Sequence, residues 1–200
     1  MQKRIGIFGG SFDPPHNGHL SIIQKTLEQL DLDLLFIVPS FLNPFKDAFY
    51  FSPNQRLNWL IELTKNIKDT KCKIEVLDFE VLQNAPTPTF KTLKYILDSN
   101  NLGNKAQCFL LLGADNVKSL PKWAEFEWIE KNVEFVIIPR NNYRIPKKFT
   151  TLAFKKVPIS STELRKMLES KEYAKLKKWI PQAILESVIK EASCKKIEKY

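Results

Sequence analysis

His16 and His19, the two histidines of this 200-residue chain, stand three residues apart in Gly9-Gly10-Ser11-Phe12-Asp13-Pro14-Pro15-His16-Asn17-Gly18-His19-Leu20. That spacing puts both imidazoles on one face of a helical turn, aimed at the same spot. The stretch follows the apolar run Ile5-Gly6-Ile7-Phe8 and leads into Ser21-Ile22-Ile23-Gln24-Lys25-Thr26-Leu27, which has helical spacing. The order reads strand, glycine turn, helix start. Glycines let the backbone approach a ligand closely, and a helix N-terminus offers unpaired N–H groups and a partial positive charge. Imidazoles, bare amides and a helix dipole converging on one place suit a reacting phosphate.

A second stretch answers the first from the far end of the chain: Val157-Pro158-Ile159-Ser160-Ser161-Thr162-Glu163-Leu164-Arg165. Ser160 followed three residues later by Glu163 reads as a capping box opening a helix. A capped start with Ser161, Thr162 and Arg165 in its first turns is also a phosphate site. Hydroxyls and amides take oxygens, and an arginine fork adds charge-assisted bonds.

The first stretch resembles the HxGH signature of the nucleotidyltransferase superfamily, and its wording is closest to the bacterial nicotinate-nucleotide adenylyltransferase family. The second resembles the I-S-S-T-x-x-R motif with which that family grips a triphosphate. The resemblance implies ATP contacts from Gly9, Gly10, Ser11, Phe12, His16, Gly18, His19, Ser160, Ser161, Thr162 and Arg165. His16, His19, Arg165 and Lys46 would carry catalysis. Leu112-Gly113-Ala114-Asp115-Asn116 is similar to a family G-x-D, so Gly113 and Asp115 would line the nucleotide pocket, the carboxylate accepting ribose hydroxyls. Arg140, at the carboxyl end of an apolar run, is a further candidate lining that pocket.

On the acceptor side the resemblance implies Ser11, Lys46, Thr89 and Trp123. Pro121-Lys122-Trp123 matches the place where the family stacks a tryptophan on a pyridine ring. Asn84-Ala85-Pro86-Thr87-Pro88-Thr89-Phe90-Lys91-Thr92-Leu93 is similar to the family's N-x-x-P-S-Y-T-x-x-T-L, with Thr87-Pro88-Thr89-Phe90 in place of the commoner wording. Thr89 can open a helix whose free N–H groups would suit a small carboxylate. Asn43-Pro44-Phe45-Lys46 departs from the family's P-P-H-K: Phe45 cannot bond a phosphate, and Lys46 keeps the positive charge. Arg56 reads as a surface charge and only a weak candidate.

The elements that must position these residues alternate. Strands are expected at Arg4–Phe8, Asp33–Val38, Lys73–Asp78, Cys108–Leu112 and Glu134–Ile138, with a weaker one at Leu152–Lys156. Helices are expected at Gly18–Leu30, Pro53–Ile67, Phe90–Ser99, Glu125–Lys131, Ser161–Ser170 and Pro181–Ala192. Such alternation implies an α/β fold, a doubly wound and mainly parallel sheet with helices on both faces. Ligands in such sheets bind outside the carboxyl ends of the strands, which is where the motifs fall. Length suits a single nucleotidyltransferase domain over 1–200, with a C-terminal helical segment at about 160–200.

Composition is that of a globular chain, 44% hydrophobic and 26% charged. No apolar run is long enough for a bilayer, and the basic start lacks a following apolar region and cleavage site, so no membrane partner is expected. Cys72, Cys108 and Cys194 are odd in number and widely spaced, pointing to no disulfide framework or zinc site, and the cytoplasm is the natural reading. The net charge of +9 lies wholly in residues 144–200, with 15 Lys/Arg against 6 Asp/Glu. That excess raises a basic nucleic-acid-binding protein as a reading from a different class. Lysines without stacking aromatics or a binding motif favour a solvated surface and no nucleic-acid partner.

The resemblance therefore implies adenylyl transfer from ATP to nicotinate mononucleotide, giving nicotinate adenine dinucleotide and pyrophosphate in NAD biosynthesis. Mg²⁺ would be carried by the ATP phosphates, with no dedicated protein metal site. Phosphopantetheine and nicotinamide mononucleotide are the alternative acceptors, and a homo-oligomer is left open.

Overall fold

The computed structural model describes residues 2–43, 46–65, 67, 71–99, 106–140, 143–155 and 157–194. Six parallel strands form one sheet: β1 (Lys3–Gly10), β2 (Leu34–Pro39), β3 (Lys73–Val76), β4 (Ala106–Gly113), β5 (Glu134–Ile138) and β6 (Thr150–Thr151). Their order is β3-β2-β1-β4-β5-β6, so direction across the sheet reverses between β1 and β4. The helices are α1 (Asn17–Gln29), α2 (Pro53–Lys65), α3 (Phe79–Leu82), α4 (Thr89–Ser99), α5 (Phe126–Asn132), α6 (Ser161–Glu169), α7 (Tyr173–Leu176) and α8 (Gln182–Cys194). This is the open, doubly wound sheet that the alternation implied, a Rossmann-like arrangement.

Period-two alternation divides the strand residues between two cores. Ile5, Ile7, Phe36, Val38, Cys108, Leu110, Leu112, Phe135 and Ile137 face one side, covered by Leu93 and Ile96 of α4 and Ile129 of α5. Phe8, Leu35, Ile37, Phe109, Leu111, Val136 and Ile138 face the other, covered by Ile22 and Ile23 of α1 and Leu60 of α2. Both faces are buried, which is why these strands read as continuous apolar runs. A third cluster is helical. Trp59 and Leu63 of α2 pack with Leu164 and Leu168 of α6, Leu176 of α7, and Ile184, Leu185 and Val188 of α8.

The expected elements are present, with shifted ends and two further α-helices, α3 and α7. β6 occupies Thr150–Thr151 rather than Leu152–Lys156; Lys156 lies outside the described residues. Thr150 and Thr151 pair with Val136 and Ile137, and Leu152 donates its N–H to Ile137 before the chain leaves the sheet. Burial of Leu152 in the second core explains the misleading apolar run there. α3 and α7 are four residues each, too short to show a helical period. Among the described residues, no helix is long and apolar enough to cross a membrane.

Candidate active site

The pairing of β1 with β4 ends at Phe8 and Leu111, and the glycine turn follows from the carboxyl end of β1. His16 is the N-cap of α1 and is buried. Its Nδ1 accepts from the Gly18 N–H at 3.1 Å, and the Nδ1 of His19 accepts from the His16 N–H at 3.2 Å. The two imidazoles thus form a capping box around the first turn, the part usually played by a hydroxyl and a carboxamide or carboxylate. Since both Nδ1 atoms accept, each neutral ring must carry its proton on Nε2. The rings stack with centroids 3.8 Å apart. Phe12, itself buried, sets its ring edge against His19 with centroids at 4.9 Å.

Burial, above all, depresses both imidazoles, with the Arg140 guanidinium adding to it. His16 falls from 6.5 to about 4. His19 lies well below the usual value, with the neighbouring His16 as a second cause. Both are therefore neutral at pH 7, acting as N–H donors rather than cations.

The sequence suggested bare amides at this helix start, and the structure corrects that. Asn17 N–H donates to Trp179 O at 2.8 Å, Gly18 N–H to His16 Nδ1, and the N–H groups of His19 and Leu20 to His16 O. The first turn is closed on protein partners, because a histidine cap and the C-terminal segment reach these donors first. Each imidazole keeps its Nε2–H as a donor on this turn. Phe12 is also a structural support rather than a surface contact, whereas the Gly9 backbone stays exposed.

The second motif lies against the first. Ser161 Oγ donates to Pro14 O at 3.1 Å, and Arg165 Nη1 donates to Asp13 O at 2.7 Å. Ser160 Oγ accepts from the Glu163 N–H and donates to the Glu163 carboxylate, so only the forward half of the expected capping box forms. The O–H groups of Ser160 and Ser161 are thereby committed to the protein. Thr162 Oγ1 accepts from Arg165 Nη2 at 3.0 Å and keeps its own O–H to donate.

Beside this junction a recess includes Ser11, Asp13, Ser40, Lys46 and Arg56 in its lining. Both carboxylate oxygens of Asp13 accept main-chain N–H groups, from Tyr50 and Phe51, at 2.8 Å. Lys46 is exposed, yet partial desolvation and the nearby Arg165 and Arg56 guanidinium groups lower its pKa, against the pull of Asp13. Cations crowded around one recess are a field suited to an anion. Ser40 Oγ is buried there without a hydrogen-bond partner among the described residues. Phe45 lies outside the described residues.

Arg56 is no surface charge. It is 1% exposed and donates to four main-chain carbonyls: Phe51 at 3.1 Å, Ser11 at 2.6 Å, Ser40 at 2.8 Å and Phe41 at 2.8 Å. It ties the glycine turn, the exit of β2 and the start of α2 together. A signal for this was present: Arg56, Trp59, Leu60 and Leu63 follow helical spacing, so the arginine sits on the buried stripe of α2. Asp13 and Ser40 carried no such signal, since their partners are main-chain groups or none.

On the β4 side, Asp115 and Arg140 pair through Nε–Oδ1 at 3.2 Å and Nη1–Oδ2 at 3.3 Å. A Cβ on Gly113 would lie 2.3 Å from Asp115 Oδ1 and 2.6 Å from Arg140 Nε, so only glycine lets the pair lie across this turn. The pair stations a guanidinium near both imidazoles, and it commits part of the Asp115 carboxylate to Arg140 rather than to a ribose. Trp123 is half-buried and packs against the same core cluster as Phe90, which adjoins Thr89 at the start of α4. Thr89 and Trp123 therefore belong to the α4–α5 side of the sheet.

Residues 7–167 match the model of the cytidylyltransferase-like family. A Campylobacter jejuni protein named "Probable nicotinate-nucleotide adenylyltransferase" is 41% identical over 169 residues, covering 84% of this chain and 89% of that one. A relative of the same name from Aliarcobacter butzleri is 39% identical, covering 93% and 95%. The structure is similar to Plasmodium falciparum nicotinic acid mononucleotide adenylyltransferase complexed with NaAD. The TM-score is 0.75 at 27% identity, covering 94% of this chain and 95% of that one.

Proposed function

The chain belongs to the cytidylyltransferase-like family, and from that premise we propose its reaction: transfer of the adenylyl group of ATP to nicotinate mononucleotide. The products are nicotinate adenine dinucleotide and pyrophosphate, a step of NAD biosynthesis. One observation carries the chemistry. Two stacked, uncharged imidazoles are locked by their own backbone into the Nε2–H form where the sheet reverses direction.

A phosphate oxygen of the mononucleotide attacks the α-phosphorus in line as the bond to the bridging oxygen of pyrophosphate breaks. No enzyme nucleophile is needed, so catalysis is positioning plus stabilisation of charge on the phosphoryl oxygens. His16 and His19 donate Nε2–H to α- and β-phosphate oxygens. With depressed pKa values they have no imidazolium proton to give at neutral pH, so they act as hydrogen-bond donors and not as general acids. Arg165, the Thr162 hydroxyl and the positive start of α6 hold the leaving pyrophosphate. Lys46, Ser11 and Ser40 serve the acceptor phosphate. Thr89 and Trp123 serve the nicotinate ring and its carboxylate, while Gly9, Gly10, Gly113 and Arg140 border the nucleotide.

An enzyme of this kind acting on ATP calls for a divalent cation, and Mg²⁺ is our assignment. Asp13 is held by two amides and Asp115 by Arg140, so neither is a ready metal ligand, and the donors fit an ion borne by the phosphates. Bound there, it would neutralise charge on the departing pyrophosphate. We place the enzyme in the cytoplasm and assign no nucleic-acid role to its basic C-terminal quarter. The test is dinucleotide formation and pyrophosphate release from ATP with each acceptor. Nicotinate mononucleotide should turn over fastest. Comparable or faster turnover of phosphopantetheine would defeat the assignment, and equal rates with the nicotinamide form would defeat the acceptor preference.

A further inference from the structure

We infer that Asn17, the residue between the two histidines' shared turn, is a positioning residue through which the C-terminal helices hold the catalytic imidazoles in place. This rests on the reaction proposed above but concerns a part of the chain which that reading leaves without a task.

Asn17 is the first residue of α1, and it reaches across 161 positions of sequence. Its Nδ2 donates to Lys178 O at 2.9 Å and its main-chain N–H donates to Trp179 O at 2.8 Å. The acceptors belong to a hydrogen-bonded turn. Trp179 and Ile180 both donate their N–H groups back to Leu176 O, closing the turn that follows α7. Leu176 and Ile180 are buried with Ile184, Leu185 and Val188 of α8 and with Trp59 and Leu63 of α2. The carbonyls that hold Asn17 are therefore anchored to a packed core.

What Asn17 transmits follows from its neighbours. His16 caps the helix through Gly18 N–H, and His19 reaches back to His16 N–H, so both imidazole anchors lie within one residue of Asn17 on either side. A rotation of the first turn would carry both rings together. The first-turn N–H that could otherwise face an anion is given to Trp179, which makes it a fastening. A carboxamide fits this place because it donates. An aspartate would also favour the positive helix start, yet would set a carboxylate against the Lys178 carbonyl. Helix-start stability and catalytic positioning thus make opposite demands at position 17, and that separates them by experiment.

The measurement pairs steady-state kinetics on the full-length enzyme with NMR of the imidazole Cε1–H resonances, of which the chain has two. Asn17→Ala should lower kcat about tenfold, and Asn17→Asp at least as much, with KM for ATP changed less than twofold. Both variants should shift the two imidazole resonances, and Asn17→Gln should recover part of the loss. Ser187→Ala serves as the comparison: it removes the Trp59 Nε1–Ser187 Oγ bond of 2.9 Å within the same helical cluster, away from the turn. It should lower stability while leaving kcat and the resonances unchanged. The inference is overturned if Asn17→Ala and Asn17→Asp keep kcat within twofold with unmoved resonances, or if Ser187→Ala lowers kcat equally. An inactive parent enzyme would defeat the proposed reaction, and the resonances would still decide the role of Asn17.

Discussion

Gly18→Ala separates catalytic placement from stability with one methyl group. The added Cβ would lie 2.8 Å from His16 Cε1 and 2.9 Å from His16 Nδ1. Carbon atoms in contact need about 3.5 Å, so the ring must recede by roughly 0.7 Å. It cannot simply swing aside, being buried and stacked on His19 at 3.8 Å. Receding lengthens the 3.1 Å cap bond from Gly18 N–H, and a lost cap costs about 1 kcal/mol. Replacing glycine by alanine within a helix returns roughly 0.5–1 kcal/mol, so the two nearly cancel. The melting temperature should then move by no more than about 4 °C in a chain of this size. The effect on rate should be far larger. Complete removal of one transition-state donor costs on the order of 10²–10³, so a displaced His16 Nε2 should lower kcat by about 10–100-fold. Chromatographic assay of dinucleotide formation at saturating substrates, beside a circular-dichroism melt, reads both quantities. A folded Gly18→Ala enzyme with kcat within about threefold of the parent would refute the argument. So would a fall of more than about 10 °C, since stability alone would then account for a slower enzyme.

His19→Ala should lower kcat by about 10²–10³ with little change in KM, because a donor that acts on developing charge is lost; a folded variant within about threefold of the parent contradicts this role. The imidazole resonances should not titrate between about pH 5.5 and 8, because burial holds both groups below their usual value. Between 6.5 and about 4 the unfolded chain binds a proton that folded His16 refuses, so this contribution to stability is full above that window and declines as pH falls through it; titration near 6.5 would show that the rings are not buried neutral donors. Lys46→Ala should raise KM for the mononucleotide about fivefold, the worth of one exposed ionic contact, while leaving KM for ATP nearly unchanged. If both KM values and kcat stay as in the parent, Lys46 does not touch the acceptor phosphate.

The order of elements was legible because the four central strands, β2, β1, β4 and β5, are buried on both faces and each longer helix on one, which writes distinct apolar periods into the chain. The two motif stretches were legible for a different reason. Their side chains act within a single helical turn, so spacing alone brings His16 toward His19 and Thr162 toward Arg165. Contacts with main-chain partners far away leave no pattern of residue types. That is why the helical spacing of Arg56 could place it on a buried stripe but not name the four carbonyls that enclose it, and why Asp13 passed as part of a turn though it pins Tyr50 and Phe51. The tautomer of each histidine likewise needed the fold, since it depends on which nitrogen meets an amide. The sequence by itself determined the architecture and the residue types that the two motifs bring together. Tertiary structure alone decided which donors remain for a ligand, because that is settled by which groups the protein has already bonded to itself.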